Sequence, residues 1–213
     1  MTDNLDSSLT TPTVYIIDDD PSIRAALDDL LASVGVKALS FASTRDFLAH
    51  PLSDAPACLV LDVRMPEQSG TDFHAQMASR GLHMPVIFMT GHGDIHMAVK
   101  AIKQGAWDFL TKPFMDQALI DAVQSALAAD AQRKEQARSR LTLQQRWDSL
   151  NPGERDVFVR VVQGLLNKQI AAELNVKEVT VKVRRARVMQ KMQAGSLAEL
   201  VRQFDQLNAE TGP

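Results

Sequence analysis

Cysteine is almost absent from this 213-residue chain, and long apolar segments are missing altogether. The single cysteine, Cys58, lies inside an apolar run, so no disulfide forms within the chain and a small buried side chain is the simplest interpretation. No run of eighteen apolar residues occurs, so we expect no membrane-spanning helix. Residues 1–11 are polar, lack the basic and apolar parts of a secretory signal, and are expected to be a disordered tail. These absences favour a globular protein of the reducing cytoplasm.

Charge is unevenly distributed along the chain, although the net charge is only −3. Residues 1–127 contain 16 acidic and 8 basic side chains, whereas residues 146–213 contain 8 acidic and 11 basic ones. An acidic part followed by a mildly basic part indicates two domains with different partners. A chance fluctuation of surface charge is the competing interpretation.

The acidic part alternates short apolar runs with amphipathic segments of helical spacing. The candidate strands are residues 13–17, 38–42, 57–61, 86–90 and 108–111. Solid runs of Val, Ile, Leu and Phe are typical of strands that are buried on both faces of a parallel sheet. The pattern predicts an α/β domain at residues 12–127, built on a doubly wound, five-stranded parallel sheet.

The remaining chain has no strand-like run and reads as helical. Residues 128–147 lack Gly and Pro and are rich in good helix formers, which favours a helical linker over a flexible hinge. Asn151 before Pro152 is typical of a helix N-cap. Helical patterns follow at about 152–163, 167–174, 178–192 and 196–207. We therefore expect a compact, all-α domain of four helices at residues 148–213.

Polar side chains follow the predicted strands at their carboxyl ends. An acidic run at residues 18–20 follows the first strand, Asp62 the third and Lys112 the fifth, while Thr90 ends the fourth. Ligands of an open α/β sheet bind at this edge. Each group alone has an ordinary explanation, such as a helix N-terminus or a turn. Four groups at one edge of one sheet favour a common site.

The types of these side chains point to phosphoryl chemistry. Clustered carboxylates repel each other, and a hard divalent cation such as Mg²⁺ relieves that repulsion. Asp19 and Asp62 are candidates for direct ligation, and Asp18 for ligation through water. Asp62 is also the best-placed nucleophile toward phosphorus. Lys112 and the Thr90 hydroxyl are suited to neutralise the phosphoryl oxygens.

Four segments of this part resemble the characteristic blocks of bacterial two-component receiver domains, most closely those of the FixJ-like subgroup. They read VYIIDDD at 14–20, LVLDVRMP at 59–66, FMTGHGD at 88–94 and DFLTKPF at 108–114. The resemblance implies a CheY-like, flavodoxin-like sheet of strand order 2-1-3-4-5. It implies Asp62 as the phosphoacceptor of a histidine kinase. It also implies Mg²⁺ as cofactor, held by Asp19, Asp62 and the carbonyl of Arg64, with Asp18 beside them.

The same resemblance assigns roles to the fourth and fifth strands. Thr90 matches the family's signalling hydroxyl, Lys112 its phosphate-binding lysine and Phe109 its aromatic switch. Plain core packing explains Phe109 nearly as well. The Lys112–Pro113 peptide bond is expected to be cis, as it usually is in this family.

The predicted helix at residues 178–192 is strongly basic. Residues 177–191 hold six basic side chains against one acidic side chain, Glu178. Arg184 and Arg185 are expected to remain largely exposed, with Lys182 and Arg187. A solvated charged face is the ordinary interpretation, but the short helix and turn that precede it favour a DNA-binding helix-turn-helix.

Residues 149–207 resemble the LuxR-type helix-turn-helix. The matching segments read NPGERDVF at 151–158, GLLNKQIAAELNV at 164–176 and TVKVRRARVMQKM at 180–192. The resemblance implies a structural role for Glu154 and a last helix available for dimerisation. The side chains expected near DNA are Thr180, Lys182, Arg184, Arg185, Arg187 and Lys191. Asn151 stands where Thr is usual and should still cap the helix. Arg184 stands where His is frequent, so no base preference is carried over.

The whole chain is therefore similar to response regulators of the FixJ/NarL type, which are not enzymes. The expected partners are a sensor histidine kinase, double-stranded promoter DNA, RNA polymerase and a second copy, bound through the fourth helix, fifth strand and fifth helix. One alternative is a phosphorylation-independent DNA-binding protein whose receiver only dimerises or docks. Another is a phosphatase of the haloacid-dehalogenase type, which needs a second Asp where Arg64 stands.

Overall fold

The computed structural model describes residues 11–91 and 95–208, with the backbone alone at 95–97. All but the last residue of the tail expected at 1–11 lies outside the described residues. The chain forms two compact units, residues 1–134 and 135–213. The division falls inside the segment interpreted as a linker.

A five-stranded sheet forms the centre of the first unit. Its strands are β1 (Thr13–Ile17), β2 (Lys37–Phe41), β3 (Ala57–Asp62), β4 (Val86–Thr90) and β5 (Asp108–Thr111). All pairings are parallel, in the order β2-β1-β3-β4-β5, which confirms the predicted fold. The third strand extends one residue further than predicted and includes Asp62.

Helices connect the strands. They are α1 (Pro21–Ser33), α2 (Thr44–Ala49), α3 (Gly70–Met77), α4 (Ile95–Lys103) and α5 (Asp116–Asp148). Asp20, Ser43 and Ser69 cap α1, α2 and α3 by accepting backbone N–H groups of the first turn. The segment predicted as a helical linker is helical and is continuous with the last helix of the first unit as α5.

Apolar side chains fill both faces of the sheet. Alternate side chains of β1 point to opposite faces of the sheet, so that Tyr15 packs in the apolar cluster on one face and Val14 in the cluster on the other. Cys58 on β3 is fully buried. Burial, together with the nearby Asp130 carboxylate, raises the pKa of the Cys58 thiol to about 12, so the thiol stays protonated at neutral pH. Its interpretation as a small buried side chain is confirmed.

The second unit contains the end of α5 and the helices α6 (Pro152–Val162), α7 (Asn167–Glu173), α8 (Glu178–Met192) and α9 (Leu197–Asn208). Asn151 caps α6 through a reciprocal pair of hydrogen bonds with Glu154. The core of the unit includes Phe158, Val181 and Leu200, all fully buried. In the part of the chain that the structure describes, every helix is too short or too polar to cross a lipid bilayer.

Candidate functional site

The carboxyl edge of the sheet brings Asp18, Asp62 and Lys112 together. The Lys112 Nζ atom donates to Asp18 Oδ2 at 2.7 Å and to Asp62 Oδ1 at 2.8 Å. Asp18 and Asp62 are only 1% and 6% exposed. Three of the residues predicted from separate strand ends therefore line one small site, in which one ammonium bridges two buried carboxylates.

The backbone around Asp62 holds this carboxylate in place. Asp62 Oδ2 accepts the Arg64 N–H at 2.7 Å, and the Val63 N–H donates to the Met89 carbonyl of β4 at 2.9 Å. Gly70, the first residue of α3, lies against the Asp62 carbonyl oxygen, and a Cβ at position 70 would collide with that oxygen. The sequence therefore needs glycine here for the loop after β3 to close over the strand end.

Burial dominates the electrostatics of Asp62. It raises the pKa of this carboxyl above 3.8, the Asp18 charge adds to the rise, and the hydrogen bonds from Lys112 and Arg64 only partly oppose it. Burial would lower the pKa of Lys112, but the two carboxylates outweigh it and raise that pKa above 10.5. The ammonium therefore stays charged, while the charge on Asp62 is disfavoured.

Asp18 and Asp19 differ in exposure. Asp18 is buried and accepts the Asp20 N–H at 2.9 Å, whereas Asp19 is exposed and borders a pocket with Met65 and Pro66. Among the described residues, no three His, Cys, Asp or Glu side chains cluster as metal ligands would. Of the carboxylates predicted as a metal set, the structure brings together Asp18 and Asp62.

Thr90 and Phe109 occupy the neighbouring strands. Thr90 is the buried last residue of β4, and its carbonyl accepts the Lys112 N–H at 2.7 Å. Phe109 on β5 is partly buried and packs against Phe88 with ring centroids 6.4 Å apart. This contact accounts for the core role of Phe109, and its switch role stays a prediction. The Lys112–Pro113 bond is cis, as the resemblance implies.

The basic helix α8 presents two kinds of basic side chain. Lys182 and Arg187 are exposed, and Lys182 pairs with Glu178 at 3.2 Å. Arg184 and Arg185 are half-buried, so the expectation that they are largely exposed is wrong. The reason is local packing, because both turn toward the starts of neighbouring helices. The Arg184 guanidinium lies where a side chain on residue 153 of α6 would stand, and Arg185 donates to the side chain of residue 167 at 3.2 Å.

Lys191, at the end of α8, is engaged within the unit. Its Nζ atom lies 2.7 Å from Glu154 Oε2 and 2.9 Å from the Ser149 carbonyl oxygen. Glu154 is 1% exposed and also accepts the Asn151 N–H. The predicted structural role of Glu154 therefore has a clear physical basis, and Lys191 is its partner. Thr180 is half-buried in the first turn of α8.

Two features escaped the sequence interpretation. Val179 and Val183 on α8 are 62% and 48% exposed, which is unusual for valine, and their i, i+4 spacing puts them on one face. That spacing was the signal in the sequence. Asp130 in α5 is fully buried and bound by Arg133 and Lys134, whose i+3 and i+4 positions were the corresponding signal.

Two family models match the chain. The response regulator receiver domain matches residues 14–124, and the family of bacterial regulatory proteins named after LuxR matches residues 148–204. Both describe transcriptional regulators rather than enzymes, which confirms the prediction on that point.

Similar proteins share both parts. Nodulation protein W of Bradyrhizobium diazoefficiens is 47% identical over 194 residues, which is 91% of this chain and 86% of that protein. The transcriptional regulatory protein FixJ of Azorhizobium caulinodans is 45% identical over 89% of this chain and 90% of its own. Among solved structures, the response regulator StyR has a TM-score of 0.87 at 43% identity and covers 92% of this chain and 100% of its own.

Proposed function

Because this chain belongs to the response regulators that join a receiver domain to a LuxR-type DNA-binding domain, we propose that Asp62 accepts a phosphoryl group from a sensor histidine kinase and so controls the binding of α8 to promoter DNA. Transcription regulation is the activity of that family. The observation that carries the proposal is the bridge from Lys112 to Asp18 and Asp62. We infer a receiver at residues 12–127, a linker at 128–147 and the DNA-binding domain at 148–213.

The geometry suits phosphoryl transfer to a carboxylate. An Asp62 oxygen attacks phosphorus, so that a P–O bond forms while the P–N bond to the kinase histidine breaks. Lys112 already lies within hydrogen-bond distance of Asp62, and its ammonium follows the negative charge onto the phosphoryl oxygens. Thr90 is buried at the adjacent strand end, and we expect its hydroxyl to donate to another phosphoryl oxygen.

The residues present fit the Mg²⁺ on which receiver domains generally depend. Asp18 and Asp62 supply hard carboxylate oxygens on either side of the Lys112 ammonium, and the exposed Asp19 and the Arg64 carbonyl are the further oxygen donors that we propose for the ion. Burial, with a smaller contribution from the Asp18 charge, raises the pKa of Asp62, and a cation bound beside it would favour the charged carboxylate. When bound, the ion neutralises phosphoryl oxygens beside Asp62.

The DNA-facing surface of α8 combines charged and apolar side chains. Exposed Lys182 and Arg187 provide cations for backbone phosphates, and Thr180 a hydroxyl. Exposed Val179 and Val183 provide methyl groups of the kind that pack against thymine in the major groove. Arg184, Arg185 and Lys191 then act chiefly by fixing α8 against its neighbours.

A second copy is the proposed partner in the phosphorylated state. On α4, Val99 and Ile102 are each 46% exposed, and Trp107, just before β5, is 43% exposed. Exposed apolar side chains on and beside these elements favour self-association over solvation. Two recognition helices then fit a two-fold operator. RNA polymerase as a partner and a cytoplasmic location stay predictions.

A gel-shift series tests the scheme as a whole. With acetyl phosphate and Mg²⁺, the wild-type protein is expected to bind operator DNA about 5–150-fold more tightly than without the phosphodonor, the usual range of coupling between two sites. The shifted complex is expected to contain two copies. Equal affinity and equal stoichiometry in both conditions would favour the alternative in which the receiver is only a docking module.

Removing the two exposed cations of α8 is expected to weaken DNA binding on all sequences alike. A Lys182→Gln, Arg187→Gln double variant should reduce the slope of log affinity against log salt by about 2, because each lost phosphate contact removes about one. Fluorescence anisotropy at several salt concentrations measures this slope. Arg202→Gln, an exposed position on α9, is the matched control. An unchanged salt dependence of DNA affinity in the double variant would show that Lys182 and Arg187 do not contact DNA phosphates.

A further inference from the structure

Asp130 is a fully buried carboxylate on the side of the first unit opposite Asp62. It lies in α5 and is 0% exposed. Its Oδ2 atom accepts the N–H of Ala57, the first residue of β3, at 2.8 Å. Its Oδ1 atom accepts from Arg133, with Nη2 at 2.7 Å and Nε at 3.0 Å. Asp130 thus joins the helix to the beginning of the strand whose last residue is Asp62.

Lys134 adds a second attachment at the same place. Its Nζ atom lies 3.3 Å from Asp130 Oδ2 and donates to the carbonyl of Ala55, just before β3, at 2.6 Å. We call Asp130, Arg133 and Lys134 the Asp130 clamp. Lys134 is also the last residue of the first compact unit. The clamp is therefore the final attachment of α5 within that unit.

The chemistry of the clamp indicates more than packing. Burying a carboxylate is costly unless it is paired, and an apolar side chain often holds a helix on a sheet equally well. A charged group that makes directional hydrogen bonds also fixes how far α5 can slide along the sheet, because only one position of the helix lets Asp130 reach the Ala57 N–H. Residues 135–142 of α5 are all exposed, so the clamp lies where the helix loses its support from the sheet.

We propose that the Asp130 clamp couples the linker to the phosphorylation site by fixing the point at which α5 leaves the receiver. Strand β3 ends in Asp62 and begins at Ala57, and the clamp attaches α5 to that beginning. With the clamp broken, the receiver still accepts phosphate, but residues 128–140 open locally and the state of Asp62 no longer controls DNA binding. This inference rests on the proposed function for its second half alone.

The test replaces the charge in the full-length protein with Asp130→Asn. The matched control is Asp121→Asn, an exposed acidic residue of the same helix. Hydrogen exchange of amides 128–140 is expected to accelerate at least about tenfold in Asp130→Asn, with β1 and β4 unchanged. Acetyl phosphate labelling should stay at the wild-type level, while the phosphodonor-dependent gain in DNA affinity falls at least about fivefold.

The outcomes separate this inference from the proposed function. If the phosphodonor does not increase the DNA affinity of the wild-type protein, the proposed function fails. The hydrogen exchange of amides 128–140 then still shows whether the Asp130 clamp holds this part of α5. If the wild type shows the gain and Asp130→Asn keeps all of it, the inference is overturned. Uniformly faster exchange or lost labelling would also overturn it, by showing general support of the core. Lys134→Met, which keeps the Ala57 bond, is the milder second variant and should act in the same direction.

Discussion

An Asp62→Asn variant is expected to take up no phosphate from acetyl phosphate and to bind DNA equally with and without it. The reason is chemical, because the amide lacks the nucleophilic oxygen that forms the acyl phosphate. Lys112 keeps Asp18 as a partner at 2.7 Å, so the site should stay assembled. Labelling with radioactive acetyl phosphate and gel shifts on operator DNA measure the two effects.

The same variant is expected to be more stable than the wild type. Burial raises the pKa of Asp62, so the folded state binds its proton more tightly than the unfolded state does. Stability is therefore lost as the pH rises from about 3.8, the ordinary pKa, through the raised folded-state pKa. Asparagine removes that loss. At pH 7 the melting temperature of the first unit should rise by a few degrees, as about 1 kcal/mol shifts it by roughly 4–8 °C in a small domain.

The pH dependence makes the stability claim testable. The difference in melting temperature should be largest at neutral pH and should shrink toward pH 4, where both side chains are uncharged. Asp29→Asn, an exposed position on α1, is the control and should change neither labelling nor stability. Labelling by acetyl phosphate that persists in Asp62→Asn would show that another residue, Asp18 or Asp19, accepts the phosphoryl group. A variant less stable than the wild type at pH 7 would contradict the electrostatic argument.

A Glu154→Ala variant is expected to destabilise the second unit by about 1–3 kcal/mol, the usual effect of leaving a buried hydrogen-bond donor without its partner. The change removes the partner of Lys191 at 2.7 Å and leaves the Asn151 N–H without its acceptor. Glu154 belongs to the reciprocal cap at the start of α6, so half of that cap is lost with the ion pair, while Asn151 Oδ1 still accepts the N–H of residue 154. Urea unfolding followed by the fluorescence of Trp147, in the same core, measures the free energy.

Glu173 offers a matched surface pair. It binds Arg160 at 2.8 Å, but the side chains are 51% and 26% exposed, so Glu173→Ala should cost at most about 1 kcal/mol.

The pH dependence of the stability that Glu154 contributes provides a further check. Burial opposes the shift, but Lys191 and the Asn151 N–H lower the pKa of Glu154 below 4.5. Its contribution is present above about 4.5 and is lost as the pH falls through the lower folded-state pKa. Equal losses of unfolding free energy in Glu154→Ala and Glu173→Ala would contradict this account.

The sequence predicts the sheet and most of its carboxyl edge because the signals there are local. Strands buried on both faces leave solid apolar runs, and the polar residue after each run must lie at the strand end, as Asp18, Asp62 and Lys112 do. Whether adjacent carboxylates point inward or outward depends on the turn that follows. The acidic run predicts a direct role for Asp19 and an indirect one for Asp18, whereas the structure buries Asp18 against Lys112 and leaves Asp19 exposed.

Contacts between distant segments are what the sequence could not reveal. Asp130 is one charge in a helix rich in charges, and only the fold places it beside Ala57, 73 positions earlier. The basic side chains of α8 posed a similar difficulty. Helical spacing separates the core-facing Val181 from the rest, but the burial of Arg184 depends on how closely another helix approaches.

The close approach of Gly153 to Arg184 also means that a change outside α8 can alter the surface of α8. A side chain at position 153 would stand within 3 Å of the guanidinium carbon and push it aside, with no residue of α8 altered. Because the end of a long side chain moves easily, the arginine would swing into solvent and the fold would survive. Sequence changes in α6 can therefore alter which cations α8 exposes. A mutational screen confined to α8 would overlook them.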